Sequence, residues 1–217
     1  MERTDFDQCF ETRDFKISEL KETDSYQGVL LKTPFESEIV ANDSLILCED
    51  CLLTSSMKTL ANALVKELTR EGKTMSVAES LTGGELASSI VNVSGASKVF
   101  DQGIVSYSNN AKKTLLGVKE ESLNDFGAVS KQVALEMARG VLKDNDYALS
   151  TTGIAGPKGD GICEKIGTVF IGLATKTEVQ AFGFHFDGSR DEVREKSVQT
   201  ALSLLLTKIV KDKIGKN

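Results

Sequence analysis

Met75-Ser76-Val77-Ala78-Glu79-Ser80-Leu81-Thr82-Gly83-Gly84 runs from a short apolar strand into a glycine-rich turn, and a helix is predicted from Gly83 to about Asn92. A strand that ends in a tight turn and feeds a helix is the building unit of α/β folds. The units on either side repeat the alternation. Upstream, Leu60, Leu64 and Leu68 recur every four residues with Ala61 and Val65 beside them, which predicts one helix that Glu71-Gly72-Lys73 ends. Downstream, Val99 to Tyr107 reads as a strand interrupted by Gly103, and Asn109 to Leu116 as a short helix closed by Gly117. Ser130 is a candidate N-cap for a helix to Lys143, with Val133, Met137 and Val141 on one face. Tyr147 to Thr151 is a strand, followed by a glycine-rich loop over Thr152–Gly161.

Gly167–Thr175 and Glu178–Phe186 are two longer strands separated by Lys176-Thr177, the spacing of an antiparallel hairpin. A last helix is expected from Asp191 to Lys211, burying Val198, Ala201, Leu205 and Ile209. Alternating strands and helices with a late hairpin predict a three-layer α/β/α sandwich around a mixed sheet.

Residues 1–53 differ from the rest. They hold five Lys/Arg against thirteen Asp/Glu, whereas the remainder of the −6 chain is slightly basic. Their short apolar pieces, Gly28–Leu31 and Ser44–Leu47, suit edge strands or a small β subdomain, not an independent core. The expected organisation is an acidic extension over 1–53 and a working domain over 54–217. No apolar run reaches the roughly 20 residues that span a bilayer, and the acidic start lacks a signal peptide's pattern. A cytoplasmic protein without membrane contact is therefore expected. No basic stripe marks a nucleic-acid face. Cys48-Glu49-Asp50-Cys51 is a CxxC pair without the further ligands a metal site needs, so incidental thiols are expected and no metal.

Ser80 follows a strand and precedes a helix. Its hydroxyl would lie over the sheet edge, beside N–H groups able to stabilise an oxyanion. A helix-capping Ser80 or Thr82 fits the same pattern. A serine nucleophile needs a base. The one histidine, His185, sits on a strand among aromatics, where a structural role fits better. Lysine is the usual substitute, and Lys112 in Val105-Ser106-Tyr107-Ser108-Asn109-Asn110-Ala111-Lys112 leaves a strand for a helix with Tyr107 nearby. The glycines of Thr152-Gly153-Ile154-Ala155-Gly156-Pro157 would expose N–H groups to phosphate or carboxylate. Gly188-Ser189-Arg190-Asp191-Glu192-Val193-Arg194 opens the last helix with two arginines able to pair with phosphate or to remain surface charges.

In order, Ala78–Gly84, Val105–Lys112, Gly127-Ala128-Val129-Ser130, Gly153–Pro157, Gly167-Thr168-Val169 and Gly188–Arg194 resemble the CinA C-terminal domain family, the nicotinamide mononucleotide deamidases, over roughly residues 56–212. The resemblance implies a three-layer α/β fold and a homodimer or higher homo-oligomer. It also implies hydrolysis of nicotinamide mononucleotide to nicotinic acid mononucleotide and ammonia without metal or cofactor. Carried over by motif, Ser80 is the nucleophile, Lys112 its base, Tyr107 a proton-transfer or orienting group, and Thr152 a site-lining residue. The backbone at Thr82 and Gly83 forms the oxyanion hole. Gly153, Ala155, Gly156 and Arg190 or Arg194 hold the phosphate. Leu81 stands where the family often has Cys, and Lys165-Ile166-Gly167 lacks the family's Pro. Residues 1–53 do not match the large N-terminal domain of long members, so no pyrophosphatase activity is expected from them. The alternative is a catalytically silent nucleotide-binding or assembly module of the same fold.

Overall fold

A computed structural model describes residues 40–42, 45–48, 51–53, 57–157 and 165–214. Its first elements are a small antiparallel meander, β1 (Val40–Asn42), β2 (Leu45–Cys48) and β3 (Cys51–Leu53). Cys48 and Cys51 face one another in its register. The Gly28–Leu31 stretch and the Lys158–Gly161 part of the glycine-rich loop lie outside the described residues.

Helix α1 (Met57–Glu71) buries Leu60, Leu64 and Leu68, the stripe read from the sequence. Then come β4 (Met75–Glu79), α2 (Glu85–Val91), β5 (Phe100–Val105), α3 (Asn109–Leu116), α4 (Glu120–Phe126) and α5 (Lys131–Leu142). β6 (Tyr147–Gly153), the hairpin β7 (Thr168–Thr175) and β8 (Val179–His185), and α6 (Arg190–Ile214) complete the order. The main sheet has strand order β5-β4-β6-β7-β8. β4 runs parallel to both its neighbours, and β7 and β8 are antiparallel, so the sheet is mixed as expected.

This order places helices on both faces. From β4 the chain crosses to one side to make β5 and later returns to the other side to make β6. Right-handed crossovers in opposite directions put their helices on opposite faces. One core accordingly joins α1, α2 and α6 to Met75, Val77, Leu149 and Ile171. The other joins α3, α4 and α5 to Ala78, Ala148 and Ala174. On this second face small residues let α5 lie close. Ser76 Oγ donates to Val141 O at 2.6 Å, and Ser150 Oγ donates to Ala134 O at 2.6 Å.

Two sequence expectations need correction. Gly103 does not interrupt β5, since it pairs with Val77 inside the strand. A Cβ there would lie 3.0 Å from Ala87 Cβ, so the glycine admits α2. β6 continues to Gly153, which makes Thr152 and Gly153 strand residues, not loop. Helix α4 was not legible: of its seven residues only Ser122 and Leu123 are buried, too few for an apolar period.

Gly140 marks the contact of α5 with the end of α3. A Cβ there would meet Leu116 O at 1.9 Å. Ala normally gains about 1 kcal/mol over Gly inside a helix. Here the clash with backbone dominates, and Gly140→Ala is expected to lower stability by about 1–3 kcal/mol, read as a shift of the urea midpoint.

Candidate active site

The carboxyl ends of β4, β5 and β6 meet where the strand order reverses, the place at which open α/β sheets bind ligands. The turn after β4 is fixed by Glu79, which is fully buried. Its Oε2 accepts from the Gly84 and Leu86 N–H groups at 2.9 and 3.1 Å, and its Oε1 from Ala87 N–H at 2.8 Å. These donors open α2, whose positive end suits a carboxylate. Gly83 and Gly84 take φ of 59° and 99°, which lets the chain turn sharply enough to present them. Ser80 N donates to Thr151 O at 2.9 Å, which ties the turn to β6.

Ser80 therefore stands over the sheet edge, and Lys112 meets it. Ser108 starts α3 by accepting from Ala111 N–H, and Lys112 lies in the first turn with its side chain folded inward. It is 1% exposed, against 9% for Ser80. Its Nζ lies 3.0 Å from Ser80 Oγ, 2.9 Å from Ser106 O and 3.3 Å from Tyr107 O. No carboxylate among the described residues pairs with it. Burial holds this ammonium well below the ordinary value of 10.5, at about 8. The two carbonyls can only accept. In the neutral amine they take its two N–H bonds, and the lone pair faces the Ser80 hydroxyl.

The cleft wall includes Ser80, Leu81, Tyr107, Lys112, Thr152 and Arg190, together with the Gly153–Gly156 segment. Thr152 Oγ1 donates to Ala128 O at 2.7 Å, so the hydroxyl is fixed at the wall. Tyr107, 64% exposed, accepts at its hydroxyl from Arg190 at 3.3 Å. Arg190 also donates to Gly156 O. Ser189 and Glu192 form a reciprocal cap at the start of α6, with Glu192 Oε2 accepting from Ser189 N–H at 2.7 Å, which sets the phase of both arginines. The N–H groups of Leu81, Thr82, Gly83, Ala155 and Gly156 donate to no acceptor among the described residues.

Not every expected residue reaches the cleft. Arg194 donates from Nε to Leu81 O at 3.1 Å and from Nη2 to Thr82 O at 2.9 Å, and it is not part of the wall. Its side chain also pairs with Glu85. The Thr82 side chain is buried against Thr151, Oγ1 to Oγ1 at 2.7 Å. His185 also lies outside the wall, with Nε2 3.4 Å from Asp187. Glu79 is the residue that sequence reasoning missed. The available signal was an acidic side chain just ahead of a glycine-rich helix start.

Fold and cleft define a three-layer α/β protein with a buried Ser–Lys pair at the carboxyl edge of its sheet. The chain belongs to the CinA C-terminal domain family, whose model matches residues 57–209. It is 49% identical to a CinA-like protein of Endomicrobium trichonymphae over 70% of this chain and 36% of that one. It is 44% identical to a CinA-like protein of Kosmotoga olearia over 68% and 36%. The chain thus spans little more than a third of these relatives' length. Among solved structures it is similar to a CinA superfamily protein of Escherichia coli, at TM-score 0.69 and 33% identity, covering 70% of this chain and 90% of that one. It is also similar to a competence/damage inducible protein of Agrobacterium tumefaciens, at TM-score 0.67 and 38% identity, covering 70% and 94%.

A buried lysine whose folded pKa lies below its unfolded value destabilises the fold wherever the unfolded side chain is charged. The effect is full below about pH 8, amounts to about 3 kcal/mol, and fades toward pH 10.5. Lys112→Met removes that penalty but loses three hydrogen bonds of about 1 kcal/mol each. The variant is expected to lie within about 1 kcal/mol of wild type at pH 7 and to be about 2–3 kcal/mol less stable near pH 10.5, where the penalty has faded. Denaturant melts should show its stability relative to wild type falling as pH rises from about 8 toward 10.5.

Proposed function

We propose that this cleft hydrolyses the carboxamide of nicotinamide mononucleotide to nicotinic acid mononucleotide and ammonia, with Ser80 as nucleophile and Lys112 as its base. One observation carries the chemistry: Lys112 Nζ lies 3.0 Å from Ser80 Oγ, with no counter-charge beside it among the described residues and its other partners limited to carbonyls. Family membership supports the choice of substrate.

Neutral Lys112 takes the Ser80 proton as Oγ attacks the carboxamide carbon. The carbonyl oxygen becomes an oxyanion facing the free N–H groups that follow Ser80. On collapse, the C–N bond breaks and Lys112 returns the proton to the departing nitrogen, which leaves as ammonia. An acyl ester remains on Ser80. Water, deprotonated by the same lysine, attacks that ester; as the acyl C–O bond breaks the lysine passes the proton to Ser80 Oγ, which releases the acid and restores the neutral amine. Tyr107 orients the pyridine amide from the rim. Thr152 and Ala128 close the wall, and Arg190 with the Ala155 and Gly156 N–H groups holds the phosphate. In this reading residues 54–217 carry the reaction and residues 1–53 are an appended acidic segment.

Ammonia release from nicotinamide mononucleotide by the full chain is the test. The wild type should turn it over, and Ser80→Ala should abolish turnover with an unchanged circular dichroism spectrum. Lys112→Ala should slow it by about 10²–10⁴-fold. A folded wild type that binds the nucleotide and releases no ammonia would sink the proposal in favour of a silent binding module. Because the base must be neutral, kcat/KM should rise about tenfold per pH unit below pH 8 and level off above it. A profile flat between pH 6 and 9 would remove Lys112 from the base role.

A further inference from the structure

Arg194 has a position that phosphate binding does not explain. Two of its nitrogens are committed to the consecutive carbonyls of Leu81 and Thr82, at 3.1 and 2.9 Å. In a trans peptide the C=O and N–H lie in one plane and point in opposite directions. The Leu81 carbonyl shares its plane with the Thr82 N–H, and the Thr82 carbonyl shares its plane with the Gly83 N–H. Gripping both carbonyls therefore fixes the direction of both N–H bonds. Neither N–H donates to an acceptor among the described residues. Thr82, Gly83 and Arg194 all lie just beyond the cleft wall that Ser80 and Leu81 line, and Arg194 grips the turn on its carbonyl side, opposite the two N–H groups.

We infer that Arg194 is a positioning residue that aims the Thr82 and Gly83 N–H groups at the oxyanion formed beside Ser80. The inference rests on the amidase reading for its reaction, while the Arg194 geometry stands apart from the choice of substrate. Two further effects support the assignment. A cation on a carbonyl oxygen polarises the peptide and makes its N–H a stronger donor. Arg194 is itself anchored on its outer side, by Glu85 at 3.3 Å and Asp191 at 3.6 Å, so the grip is not free to swing. Glu79 complements it by occupying the next donors, those of Gly84, Leu86 and Ala87. The two side chains divide the backbone between them, and the donors left over are those nearest the nucleophile. Arg190, one turn earlier on α6, faces the other way toward Tyr107 and Gly156.

The experiment compares Arg194→Met, Arg194→Lys and Arg190→Met in the full chain. It measures kcat and KM for nicotinamide mononucleotide, calorimetric affinity for nicotinic acid mononucleotide, and the rate at which a fluorophosphonate probe labels Ser80. Arg194→Met should lower kcat by about 10²-fold. KM and product affinity should stay within about threefold, and labelling should slow in parallel with kcat. Arg194→Lys, which reaches one carbonyl at a time, should fall between Met and wild type. It carries the test if the Met variant does not fold. Arg190→Met should show the converse, a raised KM and weakened product binding. A raised KM with preserved kcat in the Arg194 variants, or a kcat within threefold of wild type, overturns the inference. If the wild type labels at Ser80 but releases no ammonia, and labelling still depends on Arg194, the substrate assignment fails and the positioning role stands. Labelling independent of Arg194 overturns that role whatever the substrate.

Discussion

The carboxylate of Glu79, sealed against the first N–H groups of α2, is the constraint from which the cleft follows. A buried carboxylate is costly unless its oxygens are satisfied, and here three backbone donors satisfy them. Because those donors belong to one helix start, the carboxylate fixes where α2 begins relative to the end of β4. The chain between them has only Ser80 to Gly84 in which to reverse, so the serine is forced onto the sheet edge. α6 then supports the same turn through Arg194, joining the first and last parts of the domain at one place.

The second constraint is the pair of carbonyls at Ser106 and Tyr107. A surface lysine would keep its proton at neutral pH and be useless as a base. Lys112 is kept from water, no carboxylate among the described residues pairs with it, and its neutral form is matched by two acceptors and one hydroxyl. Holding an ionisable amine there costs stability at neutral pH, where the unfolded side chain is charged. Such local concessions are the usual mark of a working site in an otherwise consistent fold.

Much of the architecture was legible in the sequence because its signals are local. The Leu60, Leu64 and Leu68 period, the Ser130 cap, the Gly117 stop and the two-residue hairpin at Lys176-Thr177 each specify structure within a few residues. Ser80 and Lys112 were legible as candidates through their place after strands. What the sequence could not show depends on tertiary approach. The reason for a lowered Lys112 pKa lies in contacts brought together across 32 positions. Gly103 looked like a break because the space it leaves is filled by α2, and Arg194 looked like an anion ligand because its true acceptors are backbone atoms 112 and 113 residues away. Helix α4 exposes most of its surface and leaves no apolar rhythm to read.

The near-complete enclosure of Lys112 also governs where a proton can go. With the Ser106 and Tyr107 carbonyls on its inner side, the amine meets the cleft only beside Ser80, so its protons pass to and from whatever occupies the cleft there. A ligand filling the cleft closes that route to water. In the proposed reaction the proton lifted from Ser80 is then held from solvent until the leaving nitrogen takes it. In the proposed reaction the site thus works as a sealed shuttle: one proton enters with the serine and leaves with the ammonia, and solvent rejoins the circuit only when water comes to cleave the ester.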